Sequence, residues 1–279
     1  MSFIRSYLGW HRNKISALLR HQLSGEKKRL VFFYNCHAKW AGIPDRLNYN
    51  KTDGTYFITG LKKTRYFVSS RFAKWGYWSG VKHKGNVIGN AYFLNEISFS
   101  TGDIIVDCGA YNGDLKQYFI NLGVDIEYIG FEPSVEDFKC LKKNVFPSTV
   151  FNIGLWKEKG ELDFFSSTLG ADSSFIQPKT YTEIQKIKVD RLDNLITSKI
   201  KLLKIEAEGC EPEVIEGCKR IFQNIEYITA DLGFERGVLE ENTFPGVINI
   251  LLANGFEAVR AIAPSGRNTI LFKNLKLKM

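Results

Sequence analysis

The chain has 279 residues, 44% of them hydrophobic, enough to bury one large core with a smaller region attached. No run of about 18 apolar residues occurs, so no bilayer-spanning helix is expected, and the first residues lack the charged, apolar, small-residue order of a secretory signal. The net charge of +8 is unevenly divided: residues 1–100 hold 17 Lys/Arg and 4 Asp/Glu (+13), residues 101–279 hold 21 and 26 (−5), and a boundary is expected near residue 100.

In the basic part, Ile4, Leu8, His11, Ile15, Leu18 and Gln22 fall on one helical face, with Arg5, Arg12, Lys14 and Arg20 around it. Such a helix can lie on a membrane headgroup layer or dock on the protein or a second subunit; docking is favoured, because few apolar side chains would enter lipid. From residue 54 the pattern turns to short aromatic and β-branched stretches, Thr55–Thr59 and Tyr66–Ser69, which predict a small β-rich cap leading through Tyr92-Phe93-Leu94 into the first core strand. Arg65, Arg71, Lys74, Trp75, Tyr77, Trp78, Lys82, His83 and Lys84 mix cations with aromatics, as a site for a phosphate-bearing sugar would and as a packed cap with charged outer side chains also would. The basic charge draws an anionic partner: a saccharide, sugar nucleotide, phosphorylated glycolipid or membrane surface. No nucleic-acid-binding motif is present, which places nucleic acid behind a glycan.

Beyond residue 100 strands and helices alternate. Strands are predicted at 103–107, 127–131, 149–152, 201–206, 225–231, 256–262 and 269–273, and helices at 113–122, 134–144, 212–222 and 244–253. This is an α/β pattern with a mainly parallel sheet covered on both faces. The last two strands are joined by Ala263–Arg267, too short for a crossover, so they pair antiparallel. An inserted hairpin is expected from Glu161–Phe165 and Ile187–Val189, with the polar stretch Ser166–Pro178 as a lid.

The first core strand runs into Asp107 and a turn holding Gly109 and Gly113, with Asp114 opening the next helix. The second ends in Glu132, 25 residues after Asp107, and Pro133 forces Glu132 extended. Ser134 and Asp137 read as a capping pair. The glycines let the chain turn sharply and let a ligand approach, and Glu132 can accept two hydrogen bonds from vicinal ribose hydroxyls. A nicotinamide dinucleotide, serving an oxidoreductase, is the rival ligand. Its G-x-G-x-x-G fingerprint is incomplete here, and Asp107 and Asp114 would repel a diphosphate but suit the ammonium of a methionine moiety. S-adenosylmethionine is therefore the expected cofactor, held by Asp107, Gly109, Ala110, Gly113, Asp114, Glu132, Pro133 and, after the third strand, Asn152.

Together with Leu192-Asp193-Asn194-Leu195 and the segment Leu203–Glu211, these motifs make the chain resemble the FkbM family of methyltransferases from about residue 100 to 275. The resemblance implies a Rossmann-like seven-stranded fold and O-methylation of a sugar or natural product. Glu206 stands where the family has Asp, and Tyr111-Asn112 where it has Asn followed by an apolar residue. A period of two puts Lys204, Glu206 and Glu208 on one face of the fourth strand. All four histidines lie within residues 1–83, so the base is sought among Glu206, Glu208, Asp231 at the end of the fifth strand, Lys204 if burial depresses its pKa, and His83 reaching in from the cap. Glu206 with Lys204 steadying developing charge is the favoured pair. Glu206, Glu208, Glu211 and Asp231 could also hold Mg²⁺, although no spacing requires a metal. Five cysteines without C-x-x-C spacing fit a reducing cytoplasm, with peripheral contact at the inner membrane surface. A non-catalytic membrane-associated partner protein is the remaining alternative, opposed by the intact Asp107, Gly109, Gly113 and Glu132.

Overall fold

The computed structural model describes residues 27–52, 54–60, 64–69, 76–166, 173–262 and 268–277. The basic helix expected over Ile4–Gln22 lies outside these residues, as do Arg71, Lys74 and Trp75 and residues 167–172 of the polar stretch read as a lid. The chain forms two compact units, divided between Lys84 and Gly85.

In the first unit, helix α1 (Lys27–Trp40) is followed by a three-stranded antiparallel sheet in sequence order, β1 (Arg46–Tyr49), β2 (Tyr56–Thr59) and β3 (Arg65–Val68). Leu30, Tyr34 and Ala38, four residues apart, make the buried stripe of α1 and pack with Leu47, Tyr56 and Ile58. Tyr77 and Trp78, offered by the sequence as sugar-stacking groups, belong to this core instead. Tyr34 donates to the Tyr77 carbonyl at 2.8 Å, and its ring and that of Trp78 lie 5.3 Å apart. Arg65 sits over the Phe57 ring at 5.0 Å. Helix α2 (Val81–Ala91) carries His83 on an exposed position in its first turn.

The second unit begins within α2. Residues 92–94 do not extend into a strand: Phe93 takes φ +59°, a short 3-10 turn follows, and Tyr92, Leu94 and Ile97 are buried with Ile105 and Leu115. The seven-stranded sheet contains β4 (Ile104–Cys108), β5 (Glu127–Phe131), β6 (Thr149–Phe151), β10 (Ile200–Ile205), β11 (Ile225–Leu232), β12 (Phe256–Ile262) and β13 (Asn268–Asn274). Their order is β12-β13-β11-β10-β4-β5-β6, all parallel except β13, which runs antiparallel to both neighbours. This is the expected α/β arrangement with its antiparallel last strand. Buried runs such as Ile270–Phe272 show why the strands read as continuous apolar stretches: both faces are covered. Helices α3 (Asp114–Leu122), α4 (Val135–Val145), a short α5 (Leu192–Leu195), α6 (Glu211–Glu216) and α7 (Phe244–Ala253) join them.

The inserted hairpin is present as β8 (Gly160–Ser166) and β9 (Glu183–Asp190), with β7 (Gly154–Leu155) added parallel to β9. The helix expected over 212–222 is shorter than predicted. It ends at Glu216 with Gly217 as its C-cap, a position where a Cβ would stand 2.1 Å from the Trp156 carbonyl, and the chain continues as a 3-10 turn over Lys219–Asn224. Asp193 fixes this corner: it is bonded by Arg191 at 2.8 and 2.6 Å and by Arg220 at 2.5 Å. Burial disfavours its charge, yet those two guanidinium groups hold its pKa well below the usual carboxylate range. Among the described residues no helix is long and apolar enough to cross a membrane.

Candidate active site

Strand order reverses between β4 and β10, and in an open α/β sheet the carboxyl ends at that point form the ligand crevice. Asp107, Glu132 and Lys204 arrive there from β4, the end of β5 and β10.

The turn after β4 is held from below. The N–H groups of Gly109 and Ala110 both donate to the Phe131 carbonyl at 3.0 Å, and Gly113 donates to Ala110 at 2.8 Å. Gly109 has φ +72°, and a Cβ there would stand 2.0 Å from the Glu206 carbonyl; on Gly113, φ +90°, it would stand 2.6 Å from Val145. The two glycines are thus required by close approach of the protein to itself, where the sequence suggested approach of a ligand. Asn144 donates to the Asn112 carbonyl at 2.7 Å, closing the turn against α4. Asp114 is buried in the first turn of α3.

Glu132 is buried, and its two oxygens face two backbone donors, Tyr111 N–H on Oε2 and Ser134 N–H on Oε1, each at 2.8 Å. Ser134 caps α4 as expected, accepting from Asp137 N–H at 3.4 Å. Asn152 donates to the Glu132 and Pro133 carbonyls at 2.8 and 3.0 Å, so its amide braces the strand end that carries Glu132.

Lys204 is 3% exposed and Asp107 1%. The Lys204 ammonium lies 3.1 Å from Asp107 Oδ1 and 3.2 Å from Glu206 Oε2, donates to the Gly109 carbonyl at 2.8 Å, and sits 5.4 Å above the Tyr92 ring. Tyr128 donates to Asp107 Oδ2 at 2.7 Å. Burial raises the pKa of Asp107, and Lys204 and Tyr128 oppose that rise. Burial also works against the Lys204 charge, but Asp107 and Glu206 outweigh it and hold the pKa above the ordinary lysine value. Lys204 is therefore a locked cation, the opposite of the depressed lysine that could serve as a base. Asp107, which the sequence offered to a cofactor ammonium, has the Lys204 ammonium beside it.

Strand β10 stops at Ile205, so Glu208 does not continue the face of Lys204 and Glu206. Glu211, 1% exposed, accepts from Ala207 N–H at 3.0 Å and Gly209 N–H at 3.2 Å through Oε1, and folds residues 206–209 into a turn with Glu208 at φ +48°. Burial pushes the Glu211 pKa up to about 7 against those two bonds. Glu208 borders a cavity of about 160 Å³, lined also by Ser174, Lys179, Phe234, Glu235 and Glu240. Asp231 stands near the end of β11, where it and Glu206 both raise the pKa of the buried Tyr92 after burial itself. His83 lies in the first unit and the other candidates in the second. No group of three or more His, Cys, Asp or Glu suited to a metal occurs among the described residues. Tyr92, Tyr111, Tyr128, Phe234 and Glu235 were not picked out by sequence reasoning; only Tyr111, inside the turn motif, stood next to a signal.

Comparison with protein families matches residues 107–258 to the methyltransferase FkbM domain. Among solved structures the chain is similar to methyltransferase FkbM from Methylobacillus flagellatus, at 16% identity and TM-score 0.48, covering 73% of this chain and 53% of that one. It is also similar to ribosomal protein L11 methylase from Lactobacillus delbrueckii (10% identity, TM-score 0.42, 68% and 78% covered). TrmK from M. capricolum, in complex with S-adenosyl-homocysteine, follows with 12% identity, TM-score 0.41, and 68% and 69% covered. The chain thus spans about half the length of the FkbM structure it matches. A search of curated proteins gave no match.

Proposed function

The chain belongs to the FkbM methyltransferase family, and on that premise we propose that it transfers a methyl group from S-adenosylmethionine to a hydroxyl oxygen of a saccharide or glycan precursor. The observation that carries the cofactor reading is Glu132. Its two backbone bonds fix the carboxylate at the end of β5, beside the glycine turn, and an ionised carboxylate is the acceptor that the paired hydroxyls of a vicinal diol require. The Gly109–Gly113 turn beside it contributes backbone, and it lacks the G-x-G-x-x-G run on which a dinucleotide's diphosphate is held.

S-adenosylmethionine supplies a methyl group already activated by its sulfonium. What remains for the protein is to align the acceptor hydroxyl and take its proton, for which alignment contributes about 7–11 kcal/mol and a positioned base about 10²–10⁴-fold. Glu206, favoured by the sequence, is tied to Lys204 at 3.2 Å, which stabilises its anion and weakens it as a base. We assign the proton to Glu208, which borders the cavity, and an orienting role to Glu206. The +13 charge of residues 1–100 supports an acceptor carried on an anionic group, a sugar nucleotide or a phosphorylated glycolipid at a membrane surface.

Isothermal titration with S-adenosylhomocysteine, with NADH as comparison, tests the cofactor. Micromolar binding of the first alone is expected, and binding of NADH alone would overturn the assignment. With an acceptor in hand, Glu208→Gln is expected to lower turnover at least about 100-fold with S-adenosylhomocysteine affinity kept, and Glu206→Gln to lower it less; the reverse order returns the base to Glu206.

A further inference from the structure

We infer that the outer face of α1 docks on an anionic lipid bilayer, with Phe32 and Trp40 inserted at the boundary between headgroups and acyl chains. This surface belongs to the first unit and is independent of the methyl-transfer reading. A helix that covers a sheet is expected to be polar on its far side. In α1 the stripe Leu30, Tyr34 and Ala38 is taken up by the core, and the row on the opposite side, Lys28, Phe32, Cys36 and Trp40, is exposed at every position. Phe32 is 63% exposed and Trp40 69%. Eight residues put them about 12 Å apart along the axis, with Arg29 and Lys39, also exposed, beside the row. The helix contains no Asp or Glu.

Charge selects the occupant. Residues 27–84 hold 13 Lys/Arg against two acids, Asp45 and Asp53, so the cations of this unit are not matched by its own carboxylates. The chain's residues 1–26 add four Lys/Arg and one Glu, and a second copy would bring the same excess, so neither neutralises this face. An anion-bearing partner does. The aromatic row requires in addition an apolar layer behind the anions, and a bilayer has both: lysine and arginine meet the lipid phosphates while Phe32 and Trp40 enter about 5–10 Å into the headgroup and acyl boundary. Nucleic acid is anionic too, but it has no apolar layer behind its phosphates, and side chains about 12 Å apart are too distant to stack on neighbouring bases that follow at about 3.4 Å.

Cys36 stands in the row between Phe32 and Trp40 and is exposed, whereas Cys108, Cys140, Cys210 and Cys218 are buried, so a thiol-reactive, environment-sensitive dye on the full chain reports from this face. Vesicles of phosphatidylglycerol and phosphatidylcholine in equal parts should carry the protein in a flotation gradient and shift the dye emission to the blue. Vesicles of phosphatidylcholine alone should do neither, and high salt should weaken binding to the mixed vesicles. In the unlabelled chain, Phe32→Ser with Trp40→Ser should weaken that binding at least about tenfold with the thermal midpoint kept, as should Lys28→Glu with Lys39→Glu. Val238→Ser with Leu239→Ser, 51% and 80% exposed on the second unit, should leave it unchanged. No binding to the mixed vesicles, binding with the dye emission unchanged, binding undiminished in the Phe32 and Trp40 variant, or an equal loss in the Val238 and Leu239 variant overturns the inference. A dye already shielded before lipid is added overturns it in favour of residues 1–26 or a second copy. Tighter binding of a single-stranded oligonucleotide, lost in the Phe32 and Trp40 variant, overturns it in favour of nucleic acid.

Discussion

Replacing Lys204 by methionine should destabilise the second unit in a pH-dependent way. Lys204 and Asp107 are 3% and 1% exposed and 3.1 Å apart, and removing one member of a buried pair costs about 3–5 kcal/mol, because the other is left charged in a poorly solvated place. Over the 195 residues of Gly85–Met279 that corresponds to a fall of about 6–20 °C in Tm. The sign with pH follows from Asp107. Burial already raises its pKa, and Lys204 is the foremost opposing influence, so in Lys204→Met the pKa rises further. A carboxyl whose folded pKa exceeds its unfolded value contributes stability at low pH and loses it as pH climbs through the folded pKa. Loss of the lysine charge itself adds no slope here, since its own pKa is raised and titrates only in alkali. The variant should therefore be hurt more at pH 8 than at pH 5. Adding Asp107→Asn should restore much of the loss, since a neutral pair has no buried charge to solvate. Urea unfolding of the four members of this cycle at both pH values measures it. Equal losses at pH 5 and 8, with no recovery on adding Asp107→Asn, would show that Lys204 acts through packing alone.

Three further outcomes are expected. Glu132→Ala should weaken S-adenosylhomocysteine binding by about 2 kcal/mol, or about 30-fold; an unchanged calorimetric affinity would remove Glu132 from the ribose role. Gly109→Ala should unfold or strongly destabilise the second unit, because its Cβ would stand 2.0 Å from the Glu206 carbonyl at φ +72°; a thermal midpoint within about 2 °C of wild type would refute the close approach. Glu211, raised to about 7, contributes stability below the ordinary carboxylate range and loses about 3 kcal/mol of it as pH rises from about 4.5 to 7. Glu211→Gln, which keeps an acceptor for the Ala207 and Gly209 N–H groups, should therefore gain on wild type across that window, and parallel pH–stability curves would count against it.

The two strands that build the turn were legible because their signals were local. Ile104–Cys108 and Glu127–Phe131 are covered on both faces along most of their length, so Ile104–Val106 and Tyr128–Phe131 read as short runs without charge, and Pro133 marks where the second must stop. Helix α1 went unread for the converse reason: Val31, Phe32, Phe33 and Tyr34 are weak helix formers, and the 30, 34, 38 stripe is hidden among other apolar residues until the sheet it packs on is known. The need for glycine at 217, where α6 ends, was not legible either, because the carbonyl that excludes a side chain there comes from Trp156, distant in sequence.

The site divides along the same line. Glu132 could be placed from its neighbours, since Pro133 and Ser134 fix its surroundings. Glu208 could not: a period of two holds only while the strand lasts, and what ends β10 is a carboxylate further on, Glu211, turning back to collect the Ala207 and Gly209 N–H groups. The same contact sets where the two carboxylates stand. Without it, Glu206 and Glu208 would share the strand face of Lys204 and both compete for its buried ammonium. With it, Glu206 stays on Lys204 and Glu208 swings to the cavity with Phe234 and Glu235. A buried acid that looks like a structural residue thus separates the carboxylate paired with Lys204 from the one that borders the cavity.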